Sequence, residues 1–115
     1  MQIQMPRGDL RSVRLTVSTS AKGRRYEGDF DEIYFTVKES FSSKNYLFQK
    51  RLSRGEIVKL EDGSYTFTIQ PSDTDSLTIK AYVFDIELVR NNTIKQTTVG
   101  DLVLTSEVTF AENEA

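Results

Sequence analysis

The sequence predicts an all-β protein: an antiparallel β-sandwich, immunoglobulin-like in outline, of seven to eight strands. Three observations carry this. Between Lys80 and Arg90, Tyr82, Phe84, Ile86 and Leu88 share one parity while Asp85 and Glu87 sit on the other; side chains on a strand point alternately to opposite faces. The same alternation recurs along nearly the whole chain, with turn signals at intervals of about 8–12 residues. No segment has the pattern of a helix longer than one turn. A small closed barrel is the alternative packing of the same strands.

The elements follow in order. Arg11 to Ser18 is a strand with Val13, Leu15 and Val17 inward. Thr19 to Asp29 holds Gly23, Gly28, Arg24-Arg25 and Tyr26, and its turn residues and charge make it a loop. Glu32 to Glu39 is a second strand, with Ile33, Phe35 and Val37 opposed to Tyr34, Thr36 and Lys38. After the polar connection Ser40 to Asn45, Tyr46 to Leu52 is a third, its alternation broken by the adjacent Leu47 and Phe48.

Asp62-Gly63 between Glu56–Glu61 and Ser64–Gln70 predicts a two-residue type I′ hairpin, a turn that needs positive φ at both central residues. That loop pairs Glu61 with Ser64, Leu60 with Tyr65 and Val58 with Phe67. Pro71 ends the strand; Ser72 or Asp73 is placed to cap one helical turn, and Leu77 folds inward. Lys80 to Arg90 turns at Asn91-Asn92 and returns over Thr93 to Val99. Its register is ambiguous, because Val89 matches Ile94 while Leu88 would face Lys95. Gly100-Asp101 separates that return from a last strand, Leu102 to Phe110, and Ala111 to Ala115 is an acidic tail.

Length and composition set the remaining limits. The 115 residues are expected to form a single sandwich domain, 1–115, with an ordered core over about 8–110 and flexible ends. Fifteen Lys and Arg against seventeen Asp and Glu give a net charge of −2, unlike the basic excess of a duplex nucleic-acid binder. The opening residues lack the apolar stretch of a signal peptide. No apolar run approaches the ~20 residues that span a bilayer. Cysteine is absent, so no disulfide staples the fold, and folding in a reducing cytoplasm is the natural reading.

Histidine is absent too, which removes the side chain that titrates near neutrality and the usual zinc ligands. Gly-x-Ser-x-Gly and phosphate-cradling glycine loops are also missing. The expectation is a protein that is not an enzyme and carries no cofactor. Asp73 and Asp75 with Asp62 or Asp101 offer carboxylates for calcium but lack the spacing of a binding loop; turn and cap roles fit them better. Asp85 and Glu87 read as the charged face of a half-buried strand. Arg7-Gly8-Asp9 spells a tripeptide displayed by integrin ligands, yet Gly8 serves more simply as a bend. Asn91-Asn92-Thr93 matches a glycosylation acceptor and equally a hairpin turn. Lys50-Arg51 and Arg24-Arg25, near Tyr26, Tyr46 and Phe48, only faintly resemble a single-strand stacking platform. Apolar residues in mixed or outward parity are the better candidates for a partner surface: Phe41, Tyr46, Phe48, Val83 and Val89.

Several segments together carry a resemblance: Met5-Pro6-Arg7-Gly8-Asp9 before a strand, Ile33-Tyr-Phe-Thr-Val-Lys38, Asp62-Gly63-Ser-Tyr-Thr-Phe-Thr-Ile69, Pro71-Ser-Asp-Thr74, Tyr82-Val-Phe-Asp-Ile-Glu-Leu88 and Gly100-Asp-Leu-Val-Leu104. The chain resembles, over about residues 5 to 110, small structural proteins of tailed bacteriophages and prophages. It is similar to the immunoglobulin-like N-terminal domain of baseplate upper proteins. The resemblance implies a non-enzymatic virion component, made in the bacterial host cytoplasm and located in the tail or baseplate. Its partners would be other phage structural proteins or a second copy of itself, docked through strand edges and outer-face apolar residues. Duplex nucleic acid and membrane are not among them. The contrasting expectation is a carbohydrate- or cell-surface-binding module in which Tyr26, Tyr34 and Tyr46 stack on sugars.

Overall fold

A computed structural model describes residues 1–16 and 30–106. Val17, the expected loop over Thr19–Asp29 and the final stretch with Val108 and Phe110 lie outside the described residues. The strands are β1 (Gln2–Pro6), β2 (Arg11–Leu15), β3 (Glu32–Lys38), β4 (Phe48–Arg51), β5 (Ile57–Lys59), β6 (Tyr65–Ile69), β7 (Ala81–Arg90) and β8 (Thr93–Thr105). A 3-10 turn, Leu52–Arg54, joins β4 to β5, and the helical turn α1 (Pro71–Thr74) joins β6 to β7. A five-stranded sheet in the order β1-β8-β7-β3-β4 faces a three-stranded sheet in the order β2-β6-β5. Two sheets with open edges make a sandwich, and the barrel alternative falls away.

Alternation places the core as expected. Ile33, Phe35, Val37, Tyr82, Phe84, Ile86 and Leu88 point inward from β3 and β7, against Val13, Tyr65, Phe67 and Ile69 from β2 and β6. Phe35 sits at the centre: its ring lies 4.4 Å from Phe67 of the opposite sheet, 5.3 Å from Phe84 and 6.2 Å from Phe48. Such tilted aromatic contacts add to the area each ring buries. In antibody domains this space holds a tryptophan and a disulfide; here phenylalanines fill it. Tyr82 donates its hydroxyl to the Thr78 carbonyl at 2.7 Å, the tie-back seen in tyrosine corners of immunoglobulin sandwiches.

The structure corrects four readings. The opening residues are not a flexible lead-in: β1 runs parallel to β8, pairing Ile3 with Leu102 and Met5 with Leu104, and Ile3 and Met5 are 3% and 2% exposed. Only two inward side chains mark this strand, which is too short a pattern for alternation to stand out. The five-stranded sheet is consequently mixed rather than purely antiparallel. Gly100-Asp101 breaks nothing, because β8 continues through both for 13 residues. Gly100 lies opposite Phe84 and lets that ring cross over its backbone.

The fourth correction is the Asp62-Gly63 hairpin. Leu60 donates to the Ser64 carbonyl at 2.7 Å, and Gly63 donates to the Leu60 carbonyl at 3.0 Å, so the loop has three residues. Gly63 has φ +89°, while Asp62 is not among the residues of positive φ. This is a type I turn closed by a left-handed glycine, not a type I′ turn. A one-residue shift reverses every side chain: Ile57, not Val58, faces Phe67. Ile57 is 1% exposed and Val58 50%.

The Asn91-Asn92 turn is of type I′, with φ 55° and 59°. Val89 pairs with Ile94 and Leu88 with Gln96, so a bulge at Lys95 resolves the ambiguous register. Asp73, rather than Ser72, serves α1, its carboxylate accepting the Gln70 N–H at 2.7 Å. Leu77 packs against the core as expected.

A Cβ at Gly100 would lie 2.6 Å and 2.9 Å from Phe84 ring atoms and against the Met1 carbonyl. Phe84 is 1% exposed, so the ring has no free space to enter. Gly100→Ala is expected to cost about 1–3 kcal/mol, read by urea unfolding followed by circular dichroism; an unchanged midpoint would show that the ring can yield.

Candidate docking surface

The outer face of the five-stranded sheet is built by register. One row across it is Asp101, Val83 and Lys38; the next is Val99, Asp85, Thr36 and Gln49; the next is Thr97, Glu87, Tyr34 and Arg51. The β3–β4 connection adds Phe41, 64% exposed, and Tyr46, 50% exposed. Leu47 donates its N–H to the Val37 carbonyl at 2.7 Å, which fixes this connection to the end of β3. Phe41 overhangs a shallow depression of about 80 Å³ floored by Thr36, Lys38, Val83 and Asp85.

Of the five predicted interface residues, Phe41 and Val83 meet at that depression. Tyr46 is exposed at the neighbouring corner. Val89 lies on the same face but six positions along β7, roughly 20 Å from Val83. Phe48 is a correction: it faces inward, 9% exposed, against Phe35. The adjacent Leu47 and Phe48 blurred the alternation; the hydrogen bond from Leu47 to Val37 starts the pairing one residue before β4 and turns Phe48 toward the core.

Two exposed apolar residues of the same face escaped the sequence reading. Val99 lies opposite Asp85, and Ile94 opposite Val89, each 54% exposed. Reading one continuous β8 would have put Val99 and Val103 in phase; the assumed break at Gly100 hid this.

Burial raises the Asp85 carboxyl above the ordinary range, with Lys38 opposing. Burial also raises Glu87, and the Asp85 charge adds to it. At the β3–β4 edge the balance reverses. Burial pulls Glu32 upward, but hydrogen bonds from Ser53 and the Ile33 N–H, together with the Arg51 charge, leave it lowered. The Glu32 carboxylate accepts from the Ser53 N–H at 2.9 Å and from Arg51 at 3.2 Å. Arg51 also donates to the Tyr34 hydroxyl at 3.2 Å and lies 4.8 Å over its ring.

The other sequence candidates are dispersed. Lys50 and Arg51 point to opposite faces: the Lys50 ammonium pairs with Asp73 at 2.7 Å, nearly buried, while Arg51 holds Glu32. Asp62 is occupied by Ser64 and Arg14, and Asp101 is on the outer sheet face, so the aspartates considered for calcium do not converge. No group of three or more metal-type ligands forms among the described residues. Arg7 of the Arg-Gly-Asp tripeptide donates to the Leu77 carbonyl at 3.2 Å. Gly8, at φ 81°, gives its N–H to the fully buried Thr74 at 2.8 Å. The expected bend is there. Tyr34 and Tyr46 form no common platform, since Tyr34 pairs opposite Arg51 while Tyr46 lies beyond the other end of β4.

No protein-family model matches the chain, and no curated protein matches it. Among solved structures it is similar to the NK cell receptor Nkp44, described as a triggering partner in natural cytotoxicity. The TM-score is 0.52 at 15% identity, over 90% of this chain and 96% of that one. The fold is immunoglobulin-like. At this identity the likeness concerns architecture alone.

Two outcomes are expected. Phe48→Asp should cost about 3–5 kcal/mol, as a core deletion with a buried charge; a thermal melt within a degree or two of the parent would return Phe48 to the surface. Asp85 and Glu87 bind protons more tightly folded than unfolded. Their charging therefore removes stability as pH rises through and above the ordinary carboxylate range, whereas Glu32 loses its contribution as pH falls below it. Asp85→Asn should raise the melting temperature at pH 7 and converge on the parent at about pH 3, below the ordinary carboxylate value. An equal offset at both pH values would remove titration as the cause.

Proposed function

We propose that this chain is a non-enzymatic docking module of a tailed-phage or prophage virion, sited in the tail or baseplate. Its working surface is the outer face of the five-stranded sheet. The observation that carries this is the exposure of Phe41, Tyr46, Ile94 and Val99 beside or upon a single strand face. Singly scattered apolar residues need no explanation, but several on one face mark a partner surface. The ionic side chains nearest a chemistry-like arrangement are engaged in structural pairs, Lys50 with Asp73 and Arg51 with Glu32. Support for the virion setting comes from the segments that resemble baseplate upper proteins.

Val99→Arg places a charge on this face, at the β8 end of its row, without touching the core. It is expected to weaken partner capture at least tenfold while leaving the melting temperature within a degree or two. Mass spectrometry of purified particles from an induced lysogen should find the chain in the virion. Its absence from particles, or a genetic locus of metabolic neighbours without tail, portal or capsid genes, would reject the virion assignment.

A further inference from the structure

The outer face is divided by charge. Its β7–β8 half presents Asp85, Glu87 and Asp101, and its β3–β4 half presents Lys38 and Arg51. Exposed apolar groups divide as well: Val99 and Ile94 lie on β8, Phe41 and Tyr46 beside the end of β3. A surface split this way is complementary to itself, since a two-fold operation lays each half over the opposite half of a second copy.

From this we infer that the face docks a second copy of the same chain, about a two-fold axis parallel to the strands and between β7 and β3. The inference rests on the reading of this face as a docking surface and commits it to one occupant. Such an axis preserves the level of each row along the strands. Lys38 then reaches over Val83 of the second copy toward Asp101, because those three residues share one row. Arg51 and Glu87 likewise share a row with Tyr34. Phe41 and Tyr46, at the Lys38 end of β3, fall over the second copy's Val83 and Val103. Twisted sheets pack face to face with strands aligned to about 30°, which this axis permits.

The overlap is that of a weak, reversible dimer. The axis lays β3, of 7 residues, and β4, of 4, over β7 and β8 of the second copy and leaves β1 outside, roughly 350 Å² of sheet per partner, at the low end of interface sizes. Glu87, raised by burial and by the Asp85 charge, gains a cationic neighbour in Arg51 of the second copy, whereas Asp85 already has Lys38 within one copy.

Sedimentation equilibrium of the full chain, with light scattering, tests this. The parent is expected to dimerise, and more weakly as salt rises. Lys38→Glu and Asp101→Lys should each weaken the dimer about tenfold or more, and the double variant should recover to within a few-fold of the parent. Asp101 is exposed, so its reversal tests the contact even where Lys38→Glu, beside Asp85, lowers stability; melts monitor that. A parent chain monomeric at about 1 mM overturns the proposal, and so does a dimer indifferent to either reversal. If the parent stays monomeric while Val99→Arg still abolishes partner capture, the docking face stands and the second copy is excluded.

Discussion

The fold depends on the contact between Phe35 and Phe67. These rings come from opposite sheets, lie 4.4 Å apart and hold together two layers that no disulfide joins. Phe84 and Phe48 close around the same ring. A chain without cysteine has to obtain from packing what antibody domains obtain in part from a disulfide. Its phenylalanines supply that packing, and the Tyr82 tie to Thr78 holds the connection between sheets in place. Gly100 belongs to the same solution, because it makes room for the Phe84 ring.

Much of this was legible because alternation is a local property. β3 and β7 carry long apolar phases with charged or polar residues between them, so their inner faces are determined before any partner is known. What stayed illegible depended on partners remote in sequence or on one backbone angle. Ile3 and Met5 make sense as a strand only beside Leu102 and Leu104. At Asp62-Gly63 the same dipeptide suits a two- or a three-residue loop; Asp62 remained at negative φ, and the register moved by one. That single angle exchanged Val58 for Ile57 in the core. Phe48 was misplaced for a related reason, since two adjacent apolar residues leave phase undetermined until the neighbouring strand sets it.

The exposed apolar residues of the outer sheet face were partly visible in the same way. Phe41 and Val83 were recognisable as apolar groups out of phase with the core, whereas Val99 was hidden by a glycine that looked like a strand end. The ionic network at the opposite edge, Glu32 with Arg51, Tyr34 and Ser53, had no sequence signature, because it joins β3, β4 and the 3-10 turn. It matters to the surface nonetheless. By holding Arg51 against Glu32 it separates that cation from Lys38, whose charge acts on Asp85 instead.

The parallel pairing of β1 with β8 has a further consequence for biosynthesis. Gln2–Pro6 is synthesised well before Asp101–Thr105, yet that later segment supplies the hydrogen-bonding edge it needs. Until β8 has been made, then, Ile3 and Met5 have no groove to enter. Closure across so long a stretch makes the final docking an entropically late event. Until it happens, β8 exposes a naked edge, open to pairing with the strand of another chain.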